Sequence, residues 1–470
     1  MYAHVASLTQ TPLHVLGLIL RELDTLHSLG SAILAHPVLH AAFAEDPARI
    51  TRDILDAQMS PATARLAYAA HAARRVDRTS TAAVKKFADE WLVPLDDDKD
   101  SGAAGGGQEG GEEEEQGAGE EAGGAGGAGQ EQGAGKEGAG AGAEAGGSEG
   151  GPLGVWPWGL SLPDVVSMSK AHGVVEELTA MLVDSTLPRC EGLFGARRAD
   201  YAKATPAEVA RIHRMLYGYD IYCGLLFRDA DDCRPDLSWR TELNFQLSAA
   251  LYRDNVVKAN NQLACIHDFL EKIVLQAFKQ VAMYDVTWGA HEVDYLSTGS
   301  ANEHVQAYLS LGLDYIYKLA QANSLLGGPG PGPGAGATTT AASSRPDEQL
   351  QHFRRLRQML LTHRYSSTSA LPPRTAYMLA SELNAHSRAH LAKTGAAERE
   401  RACHLWDEPA AAPSAADAEL RGLVVERWAA EAAARDREVD ETHRPAMKRS
   451  WARRGDMYAR GYRGFYMEHL

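Results

Sequence analysis

The sequence predicts an all-α protein, with helical bundle units separated by an acidic Gly/Ala/Glu-rich linker and a Gly/Pro-rich spacer. Three observations carry that prediction. Helix-capping residue pairs recur along the chain, apolar residues return every three or four positions, and long β-branched alternating runs are absent. Thr205-Pro206-Ala207-Glu208 reads as a capping box: a Thr oxygen for an orphan N–H, Pro in the first turn, and Glu reaching back. Ser300-Ala301-Asn302-Glu303 repeats it, while Ser60-Pro61 and Thr11-Pro12 have the cap and the Pro without the Glu. Behind Thr205, Val209, Ile212, Leu216 and Tyr219 fall at helical spacing. Behind Ser300, Val305, Leu309, Gly312, Ile316 and Leu319 do the same. The periodic stretch Leu243–Tyr284 exceeds an average helix, so two helices or a kink near Asn260-Asn261 are expected.

Composition divides the chain into five parts. Residues 1–95 form an N-terminal helical module. Residues 96–151 are a linker with no large apolar side chain to repay ordering entropy, so disorder is expected there. Residues 152–326 are the central helical domain, 327–345 a disordered Gly/Pro spacer, and 346–470 a C-terminal helical segment with a basic-aromatic tail. The net charge of −15 is mostly a linker property. Segment 96–151 holds fifteen acids and two bases, which leaves the remainder near neutral. A uniformly basic nucleic-acid binder is excluded, and nucleic acid is not an expected partner.

The five cysteines include no CxxC pair, so small buried or half-buried thiols are expected rather than a disulfide framework or a zinc site. The apolar stretch Val15–Leu20 includes Gly17, ends at Arg21, and is too short for a signal peptide or a membrane span. The expectation is an intracellular protein, cytoplasmic or nuclear, with no membrane association.

Residues 11–43 carry the sharpest pattern. Thr11-Pro12 opens a helix whose apolar positions are Val15, Leu16, Ile19, Leu20 and Leu23. Asp24 breaks it. Leu26, Leu29 and Ile33 begin a second segment, His36-Pro37 ends that one, and Val38, Leu39 and Phe43 begin a third. Three short helices bury poorly alone and need a partner surface, in this chain or another. The stretch resembles the F-box of filamentous-fungal proteins. Pro12, Val15, Leu16, Ile19, Leu20, Leu23 and Leu29 stand at or within one position of its apolar sites, and Ile33–Phe43 is similar to its third-helix region. Thr11 stands where Leu usually precedes the Pro, and His14 where Glu is usual. The resemblance implies that these seven residues dock on a Skp-type adaptor of a cullin-based ubiquitin ligase while the helical body recruits a target protein. The alternative is a helical scaffold in which the same stripe is only core.

Chemistry is sparse elsewhere. His36/His40 and His386/His390 stand at i, i+4 without a glutamate arrangement or a third ligand, so neither a metal nor a cofactor is expected. No phosphate-binding glycine loop or nucleophile elbow is present. His291, Glu292 and Asp294 beside Trp288 form the one polar cluster on which an enzyme reading could rest. A polar helix-connecting loop capped by Trp288 is the favoured account of them, and no catalytic residue is assigned. In 444–470 seven bases face two acids, interleaved with Trp451, Tyr458, Tyr462, Phe465 and Tyr466. That pattern predicts a terminal helix docked through its aromatics, with its Arg residues solvated. Function as a non-enzymatic interaction protein follows as the expectation.

Overall fold

The computed structural model describes residues 8–77, 80–92, 162–190, 203–226, 256–298, 302–324, 351, 354–360, 396–406 and 415–466. The linker 96–151, the spacer 327–345, Trp156, Trp158, Cys233 and the His386/His390 pair lie outside them. The architecture is all-α, and among the described residues the sole β-type pairing is a single bridge between Asp285 and Phe465. Residues 1–95 and 161–470 belong to one compact unit.

The N-terminal helices are α1 (Leu13–Arg21), α2 (Leu26–Ala35), α3 (Pro37–Glu45), α4 (Pro47–Gln58), α5 (Pro61–Ala73) and α6 (Thr81–Trp91). Side-chain caps set their starts. Thr25 Oγ1 accepts from Ser28 N at 3.0 Å, Asp46 Oδ1 from Arg49 N at 3.2 Å, and Ser60 Oγ from Thr63 N at 3.2 Å. His36, which the sequence marks as a break, also serves as a cap: its Nδ1 accepts from Val38 N at 3.1 Å. Thr11 does not cap α1, which starts behind Pro12 with no side-chain cap bond.

The body consists of α7 (Leu162–Thr186), α8 (Pro206–Leu226), α9 (Val256–Ala282), α10 (Val286–Ala290), α11 (Glu303–Leu309) and α12 (Leu313–Ser324). The capping box before α8 is fully formed. Thr205 N donates to Glu208 Oε2 at 2.8 Å, and Glu208 N donates to Thr205 Oγ1 at 3.2 Å. Helix α9 runs for 27 residues through Asn260-Asn261 without the break expected there, while residues 243–255 of the same periodic stretch lie outside the described residues. It is the hub of the body, touching α8, α11 and α12, and it buries Leu263, Ile266, Leu270, Val274, Ala277 and Val281. A helix so enclosed draws its stability from packing, not from length-limited propensity. The segment after Ser300 departs the other way. Asn302 is its cap, and the chain breaks at Gly312, whose φ of +86° suits glycine. A Cβ there would also lie 2.9 Å from Asp220 Oδ1.

α5 joins the N-terminal helices to the body, packing on α7 and α8. Ala64, Ala67, Ala69, Ala70 and Ala73 are buried, and small side chains permit close approach. A Cβ on Gly224 of α8 would stand 3.1 Å from that of Ala73. Arg74 Nη2 donates to the buried Asp220 at 2.7 Å. Arg75 and His71 both reach Asp164. His172 of α7 bridges Tyr217 (3.0 Å) and the Gln58 carbonyl that ends α4 (3.2 Å).

The C-terminal helices are α13 (Ala396–Glu400), α14 (Ala415–Glu438) and, after a π-helical turn Val439–His443, α15 (Arg444–Ala459). α15 packs on α10. Trp451 Nε1 donates to Val293 O at 3.2 Å, and the Tyr466 backbone N to Tyr284 O at 2.8 Å, so the segment docks on the body as expected, whereas Tyr462 stays exposed against the expectation. One arginine overturns the expectation of solvated bases. Arg454 is fully buried, with Nη1 donating to Ala282 O at 2.5 Å and Asp285 O at 2.9 Å. Its cation sits at the C-terminal end of α9, where unpaired carbonyls concentrate negative charge.

Candidate functional site

Helix α1 is apolar almost all round, and packing divides its residues. Leu16 and Leu20 are each 1 % exposed, turned toward α3 and α4, the helices that α1 contacts. The Arg21–Asp53 ion pair pins the end of α1 to α4. Leu26 and Leu29 of α2 are buried as well. Of the seven residues aligned with the adaptor-binding sites, Leu16, Leu20 and Leu29 therefore serve the chain's own core. Leu23 and Val15 are half-buried, while Pro12 and Ile19 are exposed. The physical reason is angular. At 100° per residue, Leu16 and Leu20 share one side of α1, whereas Val15, Leu18 and Ile19 span the other.

That outer face is the candidate interface. Leu18 and Ile19 are each 53 % exposed, and Leu34 near the end of α2 is 87 % exposed. Leu18 and Leu34 escaped the sequence reading, although both are large apolar residues off the inner stripe. Seven large hydrophobic residues are exposed among the described residues, and four of them (Leu8, Leu18, Ile19, Leu34) fall within the first 34 positions. Isolated exposed leucines are ordinary. Leu18 and Ile19 are adjacent on α1, and Leu34 is a further exposed position on α2.

The polar cluster is built as a structural turn. Asp294 Oδ1 accepts from Leu296 N at 2.8 Å and Ser297 N at 3.0 Å, and its Oδ2 accepts from Ser297 Oγ at 2.6 Å and Arg444 Nη1 at 3.1 Å. Burial raises this carboxyl, but those bonds outweigh it and hold the carboxyl below its ordinary range. Glu292 occupies a left-handed turn position at φ +53° and is exposed. His291 is exposed and meets the Tyr458 ring edge at 5.9 Å. Asp294 thus ties the α10–α11 loop to α15 rather than presenting a free base.

A second titratable cluster was not foreseen. His267, Asp268 and Glu271 on α9 bring one donor atom each within 4.8 Å of one another, close enough for a cation. The site is wired internally instead. His267 Nε2 lies 3.3 Å from Gln306 Oε1, Gln306 Nε2 donates to Glu271 at 3.2 Å, and Arg399 Nε donates to Asp268 at 3.2 Å. Burial lowers the His267 imidazolium, yet Asp268 and Glu271 outweigh burial and raise it. Asp268 thus already holds Arg399, and Glu271 already holds Gln306. In the His36/His40 pair, His36 spends Nδ1 on its helix cap.

No described helix is long and apolar enough to cross a membrane. The cysteines Cys190, Cys223, Cys265 and Cys403 are free thiols. Comparison with family models, with curated proteins and with solved structures returns no match for this chain.

Proposed function

We propose that this chain is a non-enzymatic interaction protein whose F-box-like N-terminal module docks on a Skp-type adaptor of a cullin-based ubiquitin ligase, while its helical body recruits a target. The observation that supports this reading is the exposure of Leu18 and Ile19 on α1 and of Leu34 on α2, although α1 already fills its core contacts with Leu16 and Leu20. The docking residues are then Pro12, Val15, Leu18, Ile19 and Leu34. Leu16, Leu20 and Leu29 set the shape of the module. Covering three such side chains gives on the order of 4–6 kcal/mol gross, at the lower end of what association costs. Modest affinity is expected.

The test is recovery of a purified Skp-type adaptor by the full chain. Wild type retains the adaptor, and Leu18→Asp combined with Ile19→Asp loses it while keeping its helical content. Equal recovery by both proteins, or none by wild type, contradicts the reading.

A further inference from the structure

A cavity of about 410 Å³ opens beside α9, within the size range of small-molecule sites. Its lining on α9 includes Cys265, Phe269, Ile273 and Lys279, positions that recur on one side of the helix. They are fourteen steps apart end to end, roughly 21 Å at 1.5 Å per residue. The cavity is therefore a groove that runs along this side of α9. Its lining between those ends is mostly apolar, with Met181 of α7, Ala320 of α12, Phe269 and Ile273, and Ser185, Thr186, Lys272 and Gln276 add polar groups.

Charge is unevenly placed along it. Glu400 is the one acid in the lining, and it is saturated: Lys272 lies at 3.3 Å, Arg189 at 3.8 Å, and Arg435 closes the cluster. Arg399 is held by Asp268. Lys279, at the other end, has no ion-pair partner among the described residues. Asn323 adds an independent sign of a missing partner. It lines the cavity at 8 % exposure, and its Oδ1 is buried without a hydrogen bond. A buried amide oxygen left unpaired is costly, and with its amide turned over Asn323 would instead donate an N–H to a carboxylate oxygen. Burial also lowers the Lys272 ammonium, with Glu400 pulling the other way, as expected beside an apolar trough.

We propose that this groove binds a long-chain fatty acid, its carboxylate at Lys279 and its alkyl chain laid along Phe269, Ile273 and Met181. A single anionic head on an extended apolar body matches Lys279, a cation with no ion-pair partner among the described residues, at the end of a mostly apolar groove. A compact polyanion would leave the apolar walls wet, and a neutral hydrocarbon would leave Lys279 unused.

The experiment is calorimetric titration of the full-length protein with palmitate below its micelle concentration. Hexadecanol serves as the neutral counterpart of equal length. Wild type is expected to bind one palmitate saturably and hexadecanol at least about tenfold more weakly. Lys279→Glu should weaken palmitate by about tenfold or more, and Ile273→Trp should fill the trough and remove binding. Helical content and thermal midpoint are monitored for both variants. Should Ile273→Trp fail to fold, the palmitate–hexadecanol comparison on wild type and the Lys279→Glu titration still decide. No saturable binding by wild type overturns the proposal. So do a stoichiometry well above one, equal affinity for the alcohol, and indifference to Lys279→Glu. Adaptor recovery does not involve this groove, so either proposal can fail alone.

Discussion

Arg454 and Gly289 form a matched pair. A Cβ on Gly289 would stand 2.4 Å from Arg454 Nε, so the guanidinium reaches the end of α9 only because residue 289 has no side chain. Gly289→Ala should destabilise by roughly 1–3 kcal/mol through overpacking. Arg454→Met should cost about 2–4 kcal/mol, because it strips bonds from two buried carbonyls. Chemical denaturation checks both, and midpoints unchanged from wild type would contradict this role. Neither residue was legible in advance: a run of bases near a terminus usually stays wet, and only the carbonyls of Ala282 and Asp285, far off in sequence, give Arg454 a reason to be buried. The capping box at Thr205 was legible because all its partners lie within four residues. His213 makes a pH prediction. Burial, with the His172 ring 5.4 Å away adding to it, pushes the imidazole down to about 4 from 6.5. The unfolded chain takes up a proton near pH 6.5 and the folded chain does not, so this stability is fully present above pH 6.5 and is lost as pH falls toward 4. His213→Phe should flatten the drop in denaturation midpoint between pH 7 and pH 5, and an undiminished drop would count against it.

At the scale of elements, α1 shows what periodicity can and cannot tell. Its existence, and that of α2 and α3, follows from the spacing of apolar positions and from the breaks at Asp24 and His36-Pro37. Which side of α1 faces inward does not follow, because Val15, Leu16, Leu18, Ile19 and Leu20 surround the axis. Only the placement of α3 and α4 resolves it. Leu16→Ala should therefore cost roughly 2–5 kcal/mol in unfolding free energy, whereas Ile19→Ala should stay within about 0.5 kcal/mol. Similar costs at both positions would show that the inner and outer faces are misassigned. The break at Gly312 was hidden for a related reason. Its neighbours keep helical spacing, and the cause of the break is Asp220 on a different helix, which also accepts from Leu313 N at 3.3 Å.

At the scale of the molecule, the helices of 1–95 and those after 161 share one core, although 65 residues separate them in the chain. The small side chains of α5, the Gly224–Ala73 approach and the Arg74–Asp220 pair make that junction. The sequence shows the composition change at residue 96 but not the pairing across it, since alanines on a helix face name no partner. Residues 1–95 and 161–470 expressed as two chains should co-purify as a complex, and separate elution would contradict the shared core. The fungal F-box resemblance drew on the pattern of 11–43, and the structure reassigns part of that pattern to internal packing. The large apolar residues that remain exposed on α1 and α2 are Leu18, Ile19 and Leu34. The most direct measurement is the dissociation constant of the full chain for a purified Skp-type adaptor, taken by calorimetry for wild type and for Ile19→Asp. Saturable one-to-one binding that weakens at least about tenfold with Ile19→Asp, a loss of roughly 1.4 kcal/mol, is the predicted result. No binding by wild type, or equal binding by the variant, would contradict the account.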